Sequence, residues 1–207
     1  MNQILEISLK KIKDNKNKII NFFKFQFTIS IILLISIIII FIYQKYILYK
    51  KEKFSKQLIN NYNITKIYSN YTINSYINNN ILGIIQIDKI NIYYPIFSTY
   101  SEELLKISPC RFYGPSPGKL GNLCIAGHNY DNNKFFSNIP NLELNDEIII
   151  FDHLNNKYVY NVTDKYEVAT NDMNPIYSYD KKNKELTLIT CNNKNNKRII
   201  IKSIIKR

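Results

Sequence analysis

The sequence predicts a mainly β fold: a closed β-barrel with short helices, preceded by an N-terminal transmembrane helix. Three observations predict it. Residues 25–43 form an almost unbroken apolar run. From residue 80 onward the chain breaks into short runs rich in Ile, Val, Thr, Tyr and Phe. Asn, Asp, Gly and Pro turn signals separate those runs, a pattern that suits many short strands closing on one another. A length of 207 residues leaves room for one ordinary globular domain and an appendage.

The appendage comes first. Residues 1–24 are a lysine-rich N-terminal segment carrying Lys10, Lys11, Lys13, Lys16, Lys18 and Lys24. Residues 25–43 are the predicted anchor; its stretch Phe27 to Tyr43 holds no charge. That length, about 17 residues, is the lower limit for crossing a hydrocarbon core of about 30 Å, and Lys24 and Lys45 can snorkel at its ends. Small residues that a signal peptidase needs are missing after the run, and the only alanines are Ala126 and Ala169, so an uncleaved anchor is expected. Lysines flank both ends, which leaves only a slight positive-inside bias. Residues 44–79 are Lys-, Asn- and Tyr-rich and read as a stalk, helical near the membrane.

Residues 80–207 make the predicted globular domain. Ile85 and Ile87 alternate with polar residues, Asp88-Lys89 shifts the phase, and Ile90, Ile92, Tyr94 and Ile96 alternate again, which predicts two tightly joined strands. Pro95 marks an edge or a strand end. Ser101 followed by Glu102-Glu103 predicts a capped short helix. The Pro/Gly loop from Gly114 to Gly121 leads into the apolar strand Leu123 to Ala126, which breaks at Gly127 and delivers His128 into a loop. A turn of helix is expected over Lys134 to Ser137. Strands are then expected over Glu147 to Phe151, Lys157 to Val162, and Lys165 to Ala169. The last two, Glu185 to Thr190 and Arg198 to Ile205, are joined by the polar link Asn192 to Lys197.

Composition narrows the function. The net charge is +12, but the lysines crowd the membrane flanks and the C-terminal end and form no aromatic-interleaved stripe. Attraction to anionic lipid or wall polymers fits better than nucleic acid, which is not expected as a partner. Three cysteines are an odd number, so at least one thiol stays unpaired. Cys110 and Cys124 read either as a pair or as small buried apolar residues. Glu102-Glu103 and Asp146-Glu147 are acid pairs of the kind a calcium site uses, though acids at helix and strand starts are common. No metal and no cofactor is expected.

The chemistry gathers on Cys191, His128 and Arg198. Cys191 ends a β-type run, and a thiol with a free pKa of about 8.5 needs a cationic or hydrogen-bonding partner to act as a nucleophile near neutral pH. His128 is the candidate partner and proton donor to a leaving amine. Arg198 stays protonated and offers a fork of donors for a carbonyl or oxyanion. If Cys191 ends one strand and Arg198 begins the next, antiparallel pairing sets both on one rim. His153 lies in a turn and reads as solvated.

Thr187-Leu188-Ile189-Thr190-Cys191 with Arg198 downstream, Gly114 to Asn122 leading into Ala126-Gly127-His128, and the opening Leu82 to Ile90 before Pro95 occur in that order. Together with the anchor, these segments resemble the sortases, membrane-tethered cysteine transpeptidases of Gram-positive bacteria whose fold is a β-barrel, here of about eight strands. A class D-like enzyme fits the short Pro/Gly loop and the Phe135-Phe136 segment; a class B-like one also stays open. The resemblance implies a cytoplasmic N-terminus, a single membrane span and an extracellular catalytic domain. It assigns catalysis to Cys191, His128 and Arg198, and substrate binding to Thr190, Ala126 and Pro175, the last in a specificity loop from Thr170 to Asp180. The implied substrates are secreted proteins or pilins bearing an LPxTG-like sorting signal. They would pass through a thioester to the amine of a peptidoglycan precursor or a pilin lysine. A purely hydrolytic cysteine peptidase and a non-catalytic anchored binding module are the alternatives.

Overall fold

The computed structural model describes residues 2–67, 80–130, 133–177 and 179–206. The chain forms two compact units, residues 1–49 and 50–207. Helix α1 (Asn2–Ile67) begins in the first unit. Over residues 20–46 its apolar side chains are exposed on every face; Phe27, Ile32 and Ile37 are each about two-thirds exposed. An all-round apolar helix with no protein partner is what a lipid-facing span requires. The hydroxyls of Thr28, Ser30 and Ser36 donate back to helix carbonyls three or four residues earlier, so the few polar groups of this stretch are satisfied internally.

The second unit starts with the last part of α1 and continues into the barrel. Ser55 is fully buried and donates to Ser108 Oγ at 3.2 Å, and Ser108 in turn donates to the Pro95 carbonyl at 2.5 Å. Ile59 is buried in a cluster with Ile81, Ile84, Phe97, Leu105, Cys110 and Ala126. Glu52 pairs with Lys56 at 3.0 Å and with Lys134 of a barrel loop. The segment read as a stalk over 44–79 is therefore helical as far as Ile67, with Ser55 and Ile59 packed into the domain. Residues 68–79 of that segment lie outside the described residues.

Eight strands follow: β1 (Ile81–Ile87), β2 (Ile92–Phe97), β3 (Cys110–Tyr113), β4 (Gly121–Ala126), β5 (Glu147–Asp152), β6 (Lys157–Ala169), β7 (Lys184–Asn192) and β8 (Lys197–Ile205). They close into a barrel in the order β1-β2-β3-β4-β7-β8-β6-β5. Pairing is antiparallel except at β2–β3 and β4–β7, which are parallel. A 3-10 turn at Asp88–Ile90, ended by Asn91 in the left-handed region, accounts for the phase shift between the first two strands. Ser101 caps the short helix α2 (Glu102–Leu105), accepting from Leu104 N at 3.1 Å, as its sequence predicts.

Four local expectations change. β3 was hidden in the sequence because it is only four residues long and follows Pro109. The two runs 157–162 and 165–169 are one strand, β6; the polar Thr163-Asp164 interruption is a register shift against β8, where the strand bends without ending. At Lys134 to Ser137 there is no helix. Phe135 sits at φ 51°, its ring stacked on Tyr94 at 5.1 Å, and burial of both aromatic rings there overrides the local helical pattern. A one-turn helix, α3 (Asn174–Tyr177), appears instead in the loop before β7.

Candidate active site

Strand register brings the three predicted catalytic residues to one end of the barrel. β4 and β7 run in parallel with Ala126 opposite Ile189. His128, just past the end of β4, and Cys191, still within β7, each follow two residues later. β7 and β8 run antiparallel with Cys191 directly opposite Arg198. The loop after β4 and the adjacent strands β7 and β8 thus present an imidazole, a thiol and a guanidinium to the same end of the barrel, though His128 stands 63 and 70 positions before the other two, which are seven apart. All three line a single cavity of about 200 Å³.

Local bonds fix the join between β4 and β7 beyond the last strand pair. Gly127 N donates to the Ile189 carbonyl at 3.1 Å, and the Thr190 hydroxyl donates to the Gly127 carbonyl at 2.7 Å. Asn129 Nδ2 then donates to the Cys191 carbonyl at 3.0 Å, and Asn193 Nδ2 to the Asn129 carbonyl at 3.0 Å. Position 127 must be glycine for a steric reason: a Cβ there would stand 2.5 Å from the fully buried Phe136 ring. Phe136 therefore packs directly against the backbone that carries His128.

The three cysteines separate cleanly, and none is in a disulfide. Cys110 and Cys124 are buried, and burial pushes both thiols up to about 12, which makes them inert near neutral pH. Cys191 is exposed. His128 is half-buried, and its Nε2 has no hydrogen-bond partner among the described residues. Burial pushes its imidazole below the ordinary value; the Glu102 carboxylate pulls it back up, while Lys106 and Lys51 push it down. The neutral imidazole is thus favoured before substrate arrives. The Tyr130 ring lies 4.8 Å away, tilted, and confines the imidazole on one side. Arg198 is half-buried, with Nη1 4.0 Å from Met173 Sδ in the loop before β7.

The predicted substrate-binding residues take different places. Ala126 and Thr190 are both buried and line the cavity. Thr190 spends its hydroxyl on Gly127. Pro175 is buried away from the cavity lining, and its carbonyl accepts from Asn122 Nδ2 and Lys202 Nζ, both at 3.2 Å. Its segment nevertheless borders the site: Ile176 packs with Cys124, Ile189 and Ile200, and Met173 reaches Arg198.

The cavity also has walls that sequence reasoning passed over. Tyr100, Glu102, Leu105 and Phe112 contribute one side. The Tyr100 hydroxyl donates to Glu102 Oε1, and that bond, followed by burial, raises the phenol to about 12. The only available signal was the capped start of α2, which places Glu102 on a helix but does not say what the helix faces. As for calcium, Glu103 pairs with Lys106 at 2.7 Å and Asp146 with Lys89 at 2.9 Å. Among the described residues no three His, Cys, Asp or Glu side chains gather as a metal site.

A family model described as Sortase domain matches residues 85–204, more than half of the chain. A Clostridium perfringens Sortase D5 transpeptidase superposes with a TM-score of 0.57 at 26% identity, covering 76% of this chain and 97% of that one. Sortase A from Corynebacterium diphtheriae gives 0.56 at 22% identity, and the match spans 61% of each chain. Streptococcus pneumoniae Sortase C, whose structure was described for catalysis and pilin substrate specificity, gives 0.56 at 21% identity, covering 62% of this chain and 67% of that one. Comparison with curated proteins gave no match.

Proposed function

This chain belongs to the sortase family, whose members are cysteine transpeptidases, and we propose that it uses Cys191, His128 and Arg198 to exchange one peptide bond for another at a membrane surface. The observation that carries this reading is that His128 just past β4, Cys191 on β7 and Arg198 on β8 line one cavity at the same end of the barrel.

The Cys191 thiolate attacks the carbonyl of the threonine in an LPxTG-like sorting signal. Arg198, opposite it, donates to the carbonyl oxygen as negative charge develops there. His128, as imidazolium, gives its proton to the departing amine. A thioester on Cys191 remains. An acceptor amine attacks it, the sulfur leaves as thiolate, and His128 takes the proton released by the amine. The thiolate–imidazolium pair is thereby restored, with bonds and protons balanced. Burial holds His128 low, which opposes the imidazolium half of this pair.

The exposed apolar stretch of α1 supports a membrane anchor; the single pass, the cytoplasmic N-terminus and the barrel outside are carried over from the family resemblance. Substrates in this reading are secreted proteins or pilins, and acceptors are wall-precursor amines or pilin lysines. A class D-like assignment agrees with the resemblance to the Clostridium protein.

The test is to incubate the protein with LPxTG-type peptides and trap the acyl-enzyme by mass spectrometry. A hydroxylamine-labile adduct on Cys191 is expected, lost in Cys191→Ala. Iodoacetamide should alkylate Cys191 alone, because the other two thiols are buried and raised to about 12. Product analysis with added amine separates transfer from hydrolysis. An adduct on Cys110 or Cys124, or turnover that survives Cys191→Ala, overturns the assignment.

A further inference from the structure

Among the described residues, Glu102 is the one carboxylate lining the cavity that holds Cys191, His128 and Arg198. The same lining includes the apolar Leu105, Phe112 and Ile189, the polar Tyr100, His128, Thr190 and Cys191, and the cationic Arg198. The Tyr100 hydroxyl occupies Oε1. Oε2 takes no hydrogen bond among the described residues. Tyr100 is itself held edge-on against Phe112, ring centres 5.1 Å apart, so the carboxylate is oriented by a braced partner.

A transpeptidase has to solve an electrostatic problem in its second step. The acceptor is a primary amine, which near neutral pH is mostly ammonium, whether an α-amine or a lysine ε-amine. It has to enter a cavity containing a permanent guanidinium, on a chain with a net charge of +12. A cation entering there is repelled unless a local negative group offsets Arg198. Glu102 and Cys191 line the same cavity, of about 200 Å³. A cation held by Glu102 is therefore inside the cavity that the thioester on Cys191 borders.

We propose that Glu102, oriented by Tyr100, is the docking group for the ammonium of the acyl acceptor. This rests on the transpeptidase reading above and adds to it the site of the second substrate. Glu102 binds the acceptor as ammonium. His128, left neutral after protonating the first leaving amine, takes one proton from the ammonium; as the amine nitrogen bonds to the acyl carbon and the carbon–sulfur bond breaks, the second proton the nitrogen loses passes to the departing Cys191 sulfur, which leaves as a thiol beside the His128 imidazolium. His128 meets Glu102 from α2, Lys106 just beyond α2, Lys51 from α1 and the Tyr130 ring from its own loop; the first of these is the one that can receive a cation.

The test measures, on one acyl-enzyme, the ratio of aminolysis to hydrolysis for three acceptors: a glycyl peptide, Nα-acetyl-lysine amide and hydroxylamine, which is uncharged near neutral pH. Because each ratio is internal to the thioester, a change in the first step does not alter it. Glu102→Gln should lower the ratio for both ammonium acceptors roughly fivefold, the scale of a solvent-accessible charge pair, and should lower it less for hydroxylamine. Glu102→Lys should lower it further for the ammonium acceptors, and added salt should narrow the gap between wild type and variants. A glycyl or a lysine arm that alone responds identifies which amine the site takes. Equal losses for charged and uncharged acceptors, or no loss in either variant, would overturn the docking role. A wild-type protein that never forms a thioester on Cys191 would instead overturn the reading beneath it.

Discussion

Two sides of the cavity are built in different ways. On one, Cys191 and Arg198 face each other within the β7–β8 hairpin, whose pairing runs continuously from Glu185–Ile204 to Asn192–Lys197. Their separation is set by ladder register, which cannot slip by one residue without turning every side chain of the hairpin over. On the other, His128 stands beyond the end of β4. It is held by Gly127's two bonds to β7, by the Phe136 ring behind it and by Tyr130 beside it. The first side owes its geometry to backbone alone, the second to side-chain packing. The nucleophile and the oxyanion donor should accordingly be intolerant of chemical change, and the acid–base side should respond to remote packing.

The largest effect is expected at the hairpin. Arg198→Lys keeps the charge but replaces a planar fork with a point charge, and a rigid strand offers no slack to re-aim it. A loss of about 10²-fold in kcat/KM is expected, comparable to removing one oxyanion donor, with the thermal midpoint close to wild type. A loss below about threefold would show that the hairpin side is as adaptable as the histidine side.

The same contrast explains what was legible in the sequence. β7 and β8 carry long β-branched runs around a short polar link, so their pairing, and with it the placement of Cys191 against Arg198, could be read directly. The strand before His128 was equally clear. Its closeness to Cys191 was not derivable from the residues, because it depends on the parallel β4–β7 pairing across 63 residues; only the family resemblance supplied that. The α2 wall with Glu102 and Tyr100 was missed for the same reason, since helix caps are local and what a helix faces is tertiary. β3 was too short to show a period. At Phe135 local propensity lost to the burial of two aromatic rings. In α1, Ser55 and Ile59 sit in a Lys/Asn-rich context that reads as solvated, and only the barrel surface they cover reveals their burial.

A smaller effect, and a structural one, is expected on the histidine side. In Gly127→Ala the new methyl meets Phe136, a fully buried ring with no room to retreat. Overpacking of this kind costs about 1–3 kcal/mol. The melting temperature should fall and kcat/KM with it, while alkylation of Cys191 by iodoacetamide persists, since the hairpin is untouched. Phe136→Leu placed in the same chain should restore part of both losses, a non-additivity expected of residues in contact. Simple addition of the two single effects would mean that the ring does not set the histidine's position.

The smallest effect concerns the bonds that tie the two sides together. Asn129, one residue past His128, donates from Nδ2 to the Cys191 carbonyl, while its own carbonyl accepts from Asn193 in the β7–β8 turn. Asn129→Ala removes the first bond and leaves the second, because the second uses backbone; Asn193→Ala does the reverse. Each is a single solvent-accessible bond worth about 1 kcal/mol, so each variant should lose a fewfold in kcat/KM with little change in melting temperature. If the side-chain-held histidine needs both ties to stay level with the strand-held thiol, the double variant loses more than the product of the singles. If the loss is just that product, packing by Phe136 and Tyr130 alone keeps the imidazole in register, and the hydrogen bonds serve only to close the turn.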